Sequence, residues 1–120
     1  MGLIDKRLAL HYHWGDHCDG WHLVKTDSLS VIQECMPPGT EETLHFHTNA
    51  QQFFFILQGT ATFEKQGEHI EVEERQGFHV RPGEQHRIFN KTDRVLEFIV
   101  VSQPMAHGDR TPVFEQTSSI

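Results

Sequence analysis

Residues 45–59 read HFHTNAQQFFFILQG, and the alternation of this stretch decides the fold. In a β-strand successive side chains point to opposite faces, so His45 and His47 project together while Phe46 points away. Two imidazoles on one face can share a transition metal at about 2.0–2.1 Å per bond. In the run that follows, Gln52, Phe54 and Ile56 fall on one side, and Phe53, Phe55 and Leu57 on the other. In a barrel the first set lines the interior. The second set makes an apolar outer face that needs a further layer or a second subunit to cover it. That face predicts a homodimer.

No window of the chain holds an apolar stripe at helical spacing for three turns. Short β-rich runs separated by turn residues predict an all-β sandwich or barrel. Strands are expected over Trp21–Thr26, Leu29–Met36, Thr43–His47, Gln52–Gln58, Thr60–Lys65, His69–Glu73, Phe78–Arg81, His86–Phe89 and Val95–Ser102. Gly67 in KQGEH marks a tight hairpin turn, and MPPGTEE and RPGEQ are Pro-Gly breaks. The chain divides into an N-terminal segment with a first strand (1–28), a barrel core (29–103) and a polar tail (104–120). The tail is expected to run extended over a surface or across to a partner subunit, with its last residues disordered.

At 120 residues the chain suits one domain with a single core. A net charge of −7 excludes nucleic acid and anionic membrane as partners, because both need a basic face. Nine phenylalanines against one tyrosine predict a dry, aromatic interior. No apolar run approaches the roughly 18 residues of a membrane span. The opening MGLIDKRLALHYHW lacks a signal peptide's apolar core, and Lys6 stands where a myristoylation signal wants Ser or Thr. Cys18 and Cys35 form neither a CxxC pair nor a disulfide scaffold and read as free thiols. Together these features predict a soluble cytoplasmic protein that handles a small molecule.

With these residues in view, the chain resembles the cupins, small jelly-roll β-barrels that hold a metal at the barrel mouth. Gly39, His45, His47 and Gly59 fit the first cupin motif in register, with Gln52 at its glutamate position. Gly83, His86 and Asn90 fit the back half of the second motif. The front half departs, with Arg75 and Arg81 where the motif has Gly and Pro; Gly77 and Pro82 lie nearby, and a shifted turn is expected there. The resemblance covers Leu29 to Ser102. It implies a single-domain cupin jelly roll whose ligands His45, His47, Gln52 and His86 hold one divalent metal ion (Zn, Ni, Mn or Fe). Gln51 is the alternative ligand, but only Gln52 keeps the motif spacing to Gly59.

A glutamine amide offers a dipole where glutamate offers a full charge. The ion would be bound less tightly and would act as a stronger Lewis acid. A neutral shell stabilises trivalent iron poorly, which points to non-redox proton transfer: an isomerase, lyase or cyclase acting on an oxygen-rich substrate such as a sugar acid or keto acid. A ligand-binding module without turnover is the second reading, supported by the lack of an evident acid/base carboxylate on the expected inner faces. A dioxygenase is the third. One or both of His79 and Arg81 are candidates to face the cavity as proton donor or anion clamp, the alternative being a solvated strand face. Phe54, Ile56 and Phe98 read as core residues that can also line the cavity wall. The segment HYHWGDHCDGWH, with His11, His13, His17, Cys18 and His22, matches no closed zinc motif. Gly15 and Gly20 should break any regular element in it, so it reads as rim polarity.

Overall fold

The computed structural model describes residues 2–106 and 108–114. These form β1 (Leu10–Trp14), β2 (Cys18–Lys25), β3 (Ser30–Met36), β4 (His45–His47), β5 (Gln51–Gln58), β6 (Ala61–Lys65), β7 (Glu68–Val72), β8 (Gly77–Val80), β9 (His86–Phe89), β10 (Leu96–Gln103) and β11 (Arg110–Pro112). Two antiparallel sheets face each other: β1-β2-β3-β10-β5-β8 and β11-β4-β9-β6-β7. Side chains alternate as the sequence predicts. Gln52, Phe54 and Ile56 of β5 are buried, while Phe53, Phe55 and Leu57 are exposed on the outer face.

The interior between the sheets is aromatic at its centre. The rings of Phe63 and Phe78 stack at 4.3 Å, Phe54 meets Phe63 edge-on at 5.0 Å, and Phe98 lies 5.9 Å from Phe54. Fully burying a side chain of this size contributes roughly 1.5–3 kcal/mol, so this cluster is a large share of the fold's stability. Asn90 acts as a tie. Its amide donates to the carbonyls of Met36 and Arg94 at 3.0 and 2.7 Å, and its own oxygen accepts from Thr92.

Three features depart from the sequence expectations. The His-rich N-terminal segment is a regular hairpin, β1–β2, with His13 opposite Asp19 and His11 opposite Trp21. Gly15 serves its turn at φ 53°. Gly20 sits inside β2, where a Cβ would come within 2.3 Å of the Tyr12 ring; it is there to admit that ring and does not break the strand. The tail folds back into its own barrel, β11 pairing with β4; its expected disordered end, and His107, lie outside the described residues. Finally, Arg75 itself takes the left-handed conformation, φ 65°, that the family motif assigns to glycine. The turn keeps its place, and Gly77 instead opens β8 with the Phe53 ring against it.

Gly59 closes β5 at φ 86°, and a Cβ there would lie 2.7 Å from the Val95 carbonyl oxygen. Gly67 has a similar φ of 84° with open space around it. Gly59→Ala should therefore cost more than the roughly 1–2 kcal/mol of left-handed backbone alone, whereas Gly67→Ala should cost about that amount. Urea unfolding of the two variants tests the difference.

Candidate metal centre

β4 and β9 place three histidines at one point. His45 and His47 share the inner face of β4, and His45 lies opposite His86 of β9. All three are buried, and a ligand nitrogen from each lies within 4.8 Å of the others. Gln52, from the facing sheet, brings its Oε1 to 3.1 Å from His86 Nε2. The four residues that the cupin resemblance implies as ligands thus converge, across both sheets.

The orientation of each ring has an identifiable cause. His45 Nδ1 lies 2.8 Å from the Thr43 carbonyl, His86 Nδ1 2.9 Å from that of Glu84, and His47 Nδ1 3.2 Å from that of Asp109. A carbonyl can only accept, so each Nδ1 carries the hydrogen and each Nε2 keeps its lone pair. Burial is the first cause holding the rings neutral. It lowers His45 to about 3 and His86 to about 4, neighbouring histidines and Arg110 adding to the effect, and it lowers His47 as well. The Arg110 guanidinium, 3.4 Å from His45 Nδ1, is a second donor facing a donor and so acts on that ring by repulsion.

This donor set fits a cation. His47 Nε2 is buried and makes no hydrogen bond of ordinary geometry. Gln52 donates its amide to Ser102 Oγ at 3.0 Å, which turns Oε1 toward His86 Nε2, so two lone pairs face each other. Buried acceptors aimed at one another are costly unless something positive lies between them. The tail helps to hold the arrangement: the Asp109 carboxylate accepts from the backbone N–H groups of Thr48, Asn49 and Ala50 at 2.9–3.1 Å, fixing the turn after His47. Those hydrogen bonds also pull the Asp109 carboxyl below its ordinary range.

A cavity of about 360 Å³ opens beside the histidines, walled by Tyr12 and Trp14 of β1, Ser30, Ile32 and Glu34 of β3, Ser102 and Val100 of β10, and Arg110 of β11, with Glu42. Here the structure corrects the sequence reading. Inner carboxylates are present: burial raises Glu34 to about 8, with Glu42 adding repulsion, and raises Glu42 to about 7 against the pull of Arg110. Tyr12 Oη donates to Glu34 Oε2 at 3.2 Å, and burial next to that carboxyl raises the phenol's pKa as well. His79 does not reach the cavity. Val80 and Phe78 take the inward positions of β8, while His79 is exposed and bonds Gln51 at 2.9 Å on the outer face. Arg81 is also exposed, its backbone N–H capped by Glu84 at 2.7 Å. Phe54, Ile56 and Phe98 belong to the packed core and not to the cavity wall, where Val100 and Ile32 stand instead.

The family description Cupin domain matches residues 32–102. Among curated relatives, the tetracenomycin polyketide synthase protein TcmJ of Streptomyces glaucescens is 25% identical over 84 residues, a match that takes in 65% of this chain and 56% of TcmJ. The chain therefore spans little more than half of that relative's length. Among solved structures, the polyketide cyclase RemF of Streptomyces resistomycificus superposes with a TM-score of 0.81 at 17% identity, covering 97% of this chain and 87% of RemF. A predicted oxalate decarboxylase from Thermotoga maritima superposes with a TM-score of 0.79 at 19% identity, covering 86% of this chain and 99% of that one. At such identities the structures share the fold.

Gln52→Glu places a full negative charge among three neutral imidazoles. Calorimetric titration with zinc should show affinity at least about tenfold tighter than wild type, about 1.4 kcal/mol. Unchanged affinity would remove Gln52 from the ligand set.

Proposed function

Because the chain belongs to the cupin family, whose barrel supports many chemistries, we propose its function from the cavity's own side chains: metal-assisted, non-redox proton transfer on a small oxygen-rich molecule. The reading is of an isomerase, lyase or cyclase. One observation carries it, the placement of a half-buried carboxyl, Glu34, with its Tyr12 partner in the same cavity as the inward-facing imidazoles. His45, His47, Gln52 and His86 would hold one divalent ion, which supplies Lewis acidity toward an oxygen anion.

The remaining work falls to the protein. Trp14, Ile32 and Val100 give the cavity an apolar wall that orients a flat or compact substrate and limits water. Arg110, on the opposite wall, supplies positive charge for an anionic group. Glu34 is poised to hold a proton near neutral pH and to release it to a substrate carbon or oxygen, with the Tyr12 hydroxyl fixing the carboxyl's orientation. Paired groups whose surroundings push their pKa values away from ordinary are the usual mark of acid and base roles. The inner carboxylates weigh against a binding module without turnover, and a shell of uncharged side chains weighs against a dioxygenase. Likeness to TcmJ and RemF supports cyclisation of a polyketide-type substrate as one form of this chemistry, beside sugar acids and keto acids.

Two further proposals concern the setting. The outer face carrying Phe53, Phe55 and Leu57 is proposed to pair with a second copy of the chain, since an exposed aromatic row on a broad sheet is otherwise a liability. The free thiols of Cys18 and Cys35 suit a reducing, cytoplasmic compartment.

The chemistry is tested by incubating metal-loaded protein with sugar acids, keto acids and polyketide-type phenols in deuterated water and following carbon-bound deuterium by NMR. Exchange should appear with wild type and fall roughly 10²–10⁴-fold in Glu34→Gln, with metal content unchanged. Stoichiometric metal without exchange on any class would favour a binding module, and oxygen uptake by iron-loaded protein would favour a dioxygenase. For assembly, Phe55→Asp should convert a dimer to monomers in analytical ultracentrifugation; a variant that stays dimeric would show that another face is used.

A further inference from the structure

The hairpin that walls the cavity has a second chemistry on its outer side. Along β1 the side chains alternate, so Tyr12 and Trp14 face the cavity while His11 and His13 face outward. β2 brings Asp19 directly opposite His13. His11 Nε2 and His13 Nδ1 both converge on the same carboxylate oxygen, Asp19 Oδ1, at 2.8 and 2.9 Å. The two imidazole rings meet edge-on at 4.7 Å. A ligand atom from each of the three lies within 4.8 Å of the others, the same closeness the buried histidines achieve.

We propose that His11, His13 and Asp19 form a second divalent-cation site, for an imidazole-preferring transition metal such as zinc, nickel or copper, which clips the hairpin from outside and steadies the cavity wall. It stands independently of the proposed activity. Two nitrogens and one oxygen on adjacent strands suit such ions, leaving open positions for water. His11 donates to Asp19 and His13 Nδ1 lies against the same oxygen, but each ring has a second nitrogen that can take the hydrogen, which frees the converging lone pairs for an ion.

The charge balance differs from that of the inner centre. The inner set is neutral, whereas the outer set contains one carboxylate that offsets part of the ion's charge. The outer set is also open to solvent, with the His13 side chain 78% exposed, so its ion would exchange more readily. Lys6 lies 4.5 Å over the Trp21 ring, which packs against His11, and is engaged by Glu97.

The scaffold beneath the cluster is firm. Trp14 Nε1 donates to the Asp19 carbonyl at 3.1 Å, fixing the backbone that carries the carboxylate. Gly20 lets the Tyr12 ring pack across β2, and Tyr12 in turn bonds Glu34. An ion bridging β1 and β2 would therefore restrain the strand that presents Tyr12 to the cavity.

Equilibrium dialysis of the full chain against zinc provides the test. Wild type should bind two equivalents. Asp19→Asn, which preserves size and hydrogen bonding, and His13→Ala should each weaken one equivalent at least about tenfold, since losing a ligand exceeds the roughly 10–100-fold effect of losing a supporting residue. His86→Ala should lose the other equivalent and keep the outer one, so failure at the inner centre is separable from failure here. In His86→Ala, zinc should also slow amide hydrogen exchange along β1. No zinc bound by His86→Ala, wild-type zinc binding untouched by Asp19→Asn and His13→Ala, or unchanged exchange along β1 would overturn the proposal.

Discussion

Three hydrogen bonds from imidazole to backbone carbonyl hold the centre of this protein in place. Thr43, Glu84 and Asp109 each take the Nδ1 hydrogen of one histidine, and in doing so turn three Nε2 lone pairs toward one point. Gln52 completes the set because Ser102 takes its amide hydrogen and leaves the oxygen facing inward. These anchors come from loops and strand ends of both sheets, so the centre exists only when the barrel has closed. The long β5–β10–β3 ladder and the phenylalanine cluster beneath it hold the two sheets at the spacing those bonds need.

The charged groups around this centre lie in the cavity wall. The side chains proposed as ligands are uncharged, while the carboxylates stand in the cavity wall as Glu34 and Glu42, opposed by Arg110. A carboxylate in the ligand set would neutralise an ion directly. Placed in the wall, it is free to carry a proton, and burial raises its affinity for one. In the proposed reading, Lewis acidity would belong to the ion and proton transfer to Glu34, a division of labour that suits isomerisation or cyclisation of an oxygen-rich substrate.

Much of the centre was legible before the fold was known, because strand alternation alone sets His45 beside His47 and turns Gln52, Phe54 and Ile56 inward. His86 became legible through the spacing of its motif. Glu34 was missed although its signal was present: it shares a face with Ser30, Ile32 and Met36 in β3, and a carboxylate on an otherwise inward face calls for a reason. His79 was misplaced for the converse reason, since its neighbours Phe78 and Val80 are the apolar residues that turn inward. Arg110 and Asp109 were out of reach, because their positions depend on β11 pairing with β4, a contact across more than sixty residues for which a polar tail carries no periodic signal. The N-terminal hairpin was hidden by its glycines, one of which makes room for Tyr12 inside a strand.

The protein itself sets the three buried histidines as neutral rings hydrogenated on Nδ1. Long-range nitrogen–proton NMR of the metal-free protein just below neutral pH reads this directly, ring by ring. His45, His47 and His86 should each appear neutral with the hydrogen on Nδ1 and an unprotonated Nε2. A charged ring among the three, or one hydrogenated on Nε2, would contradict it.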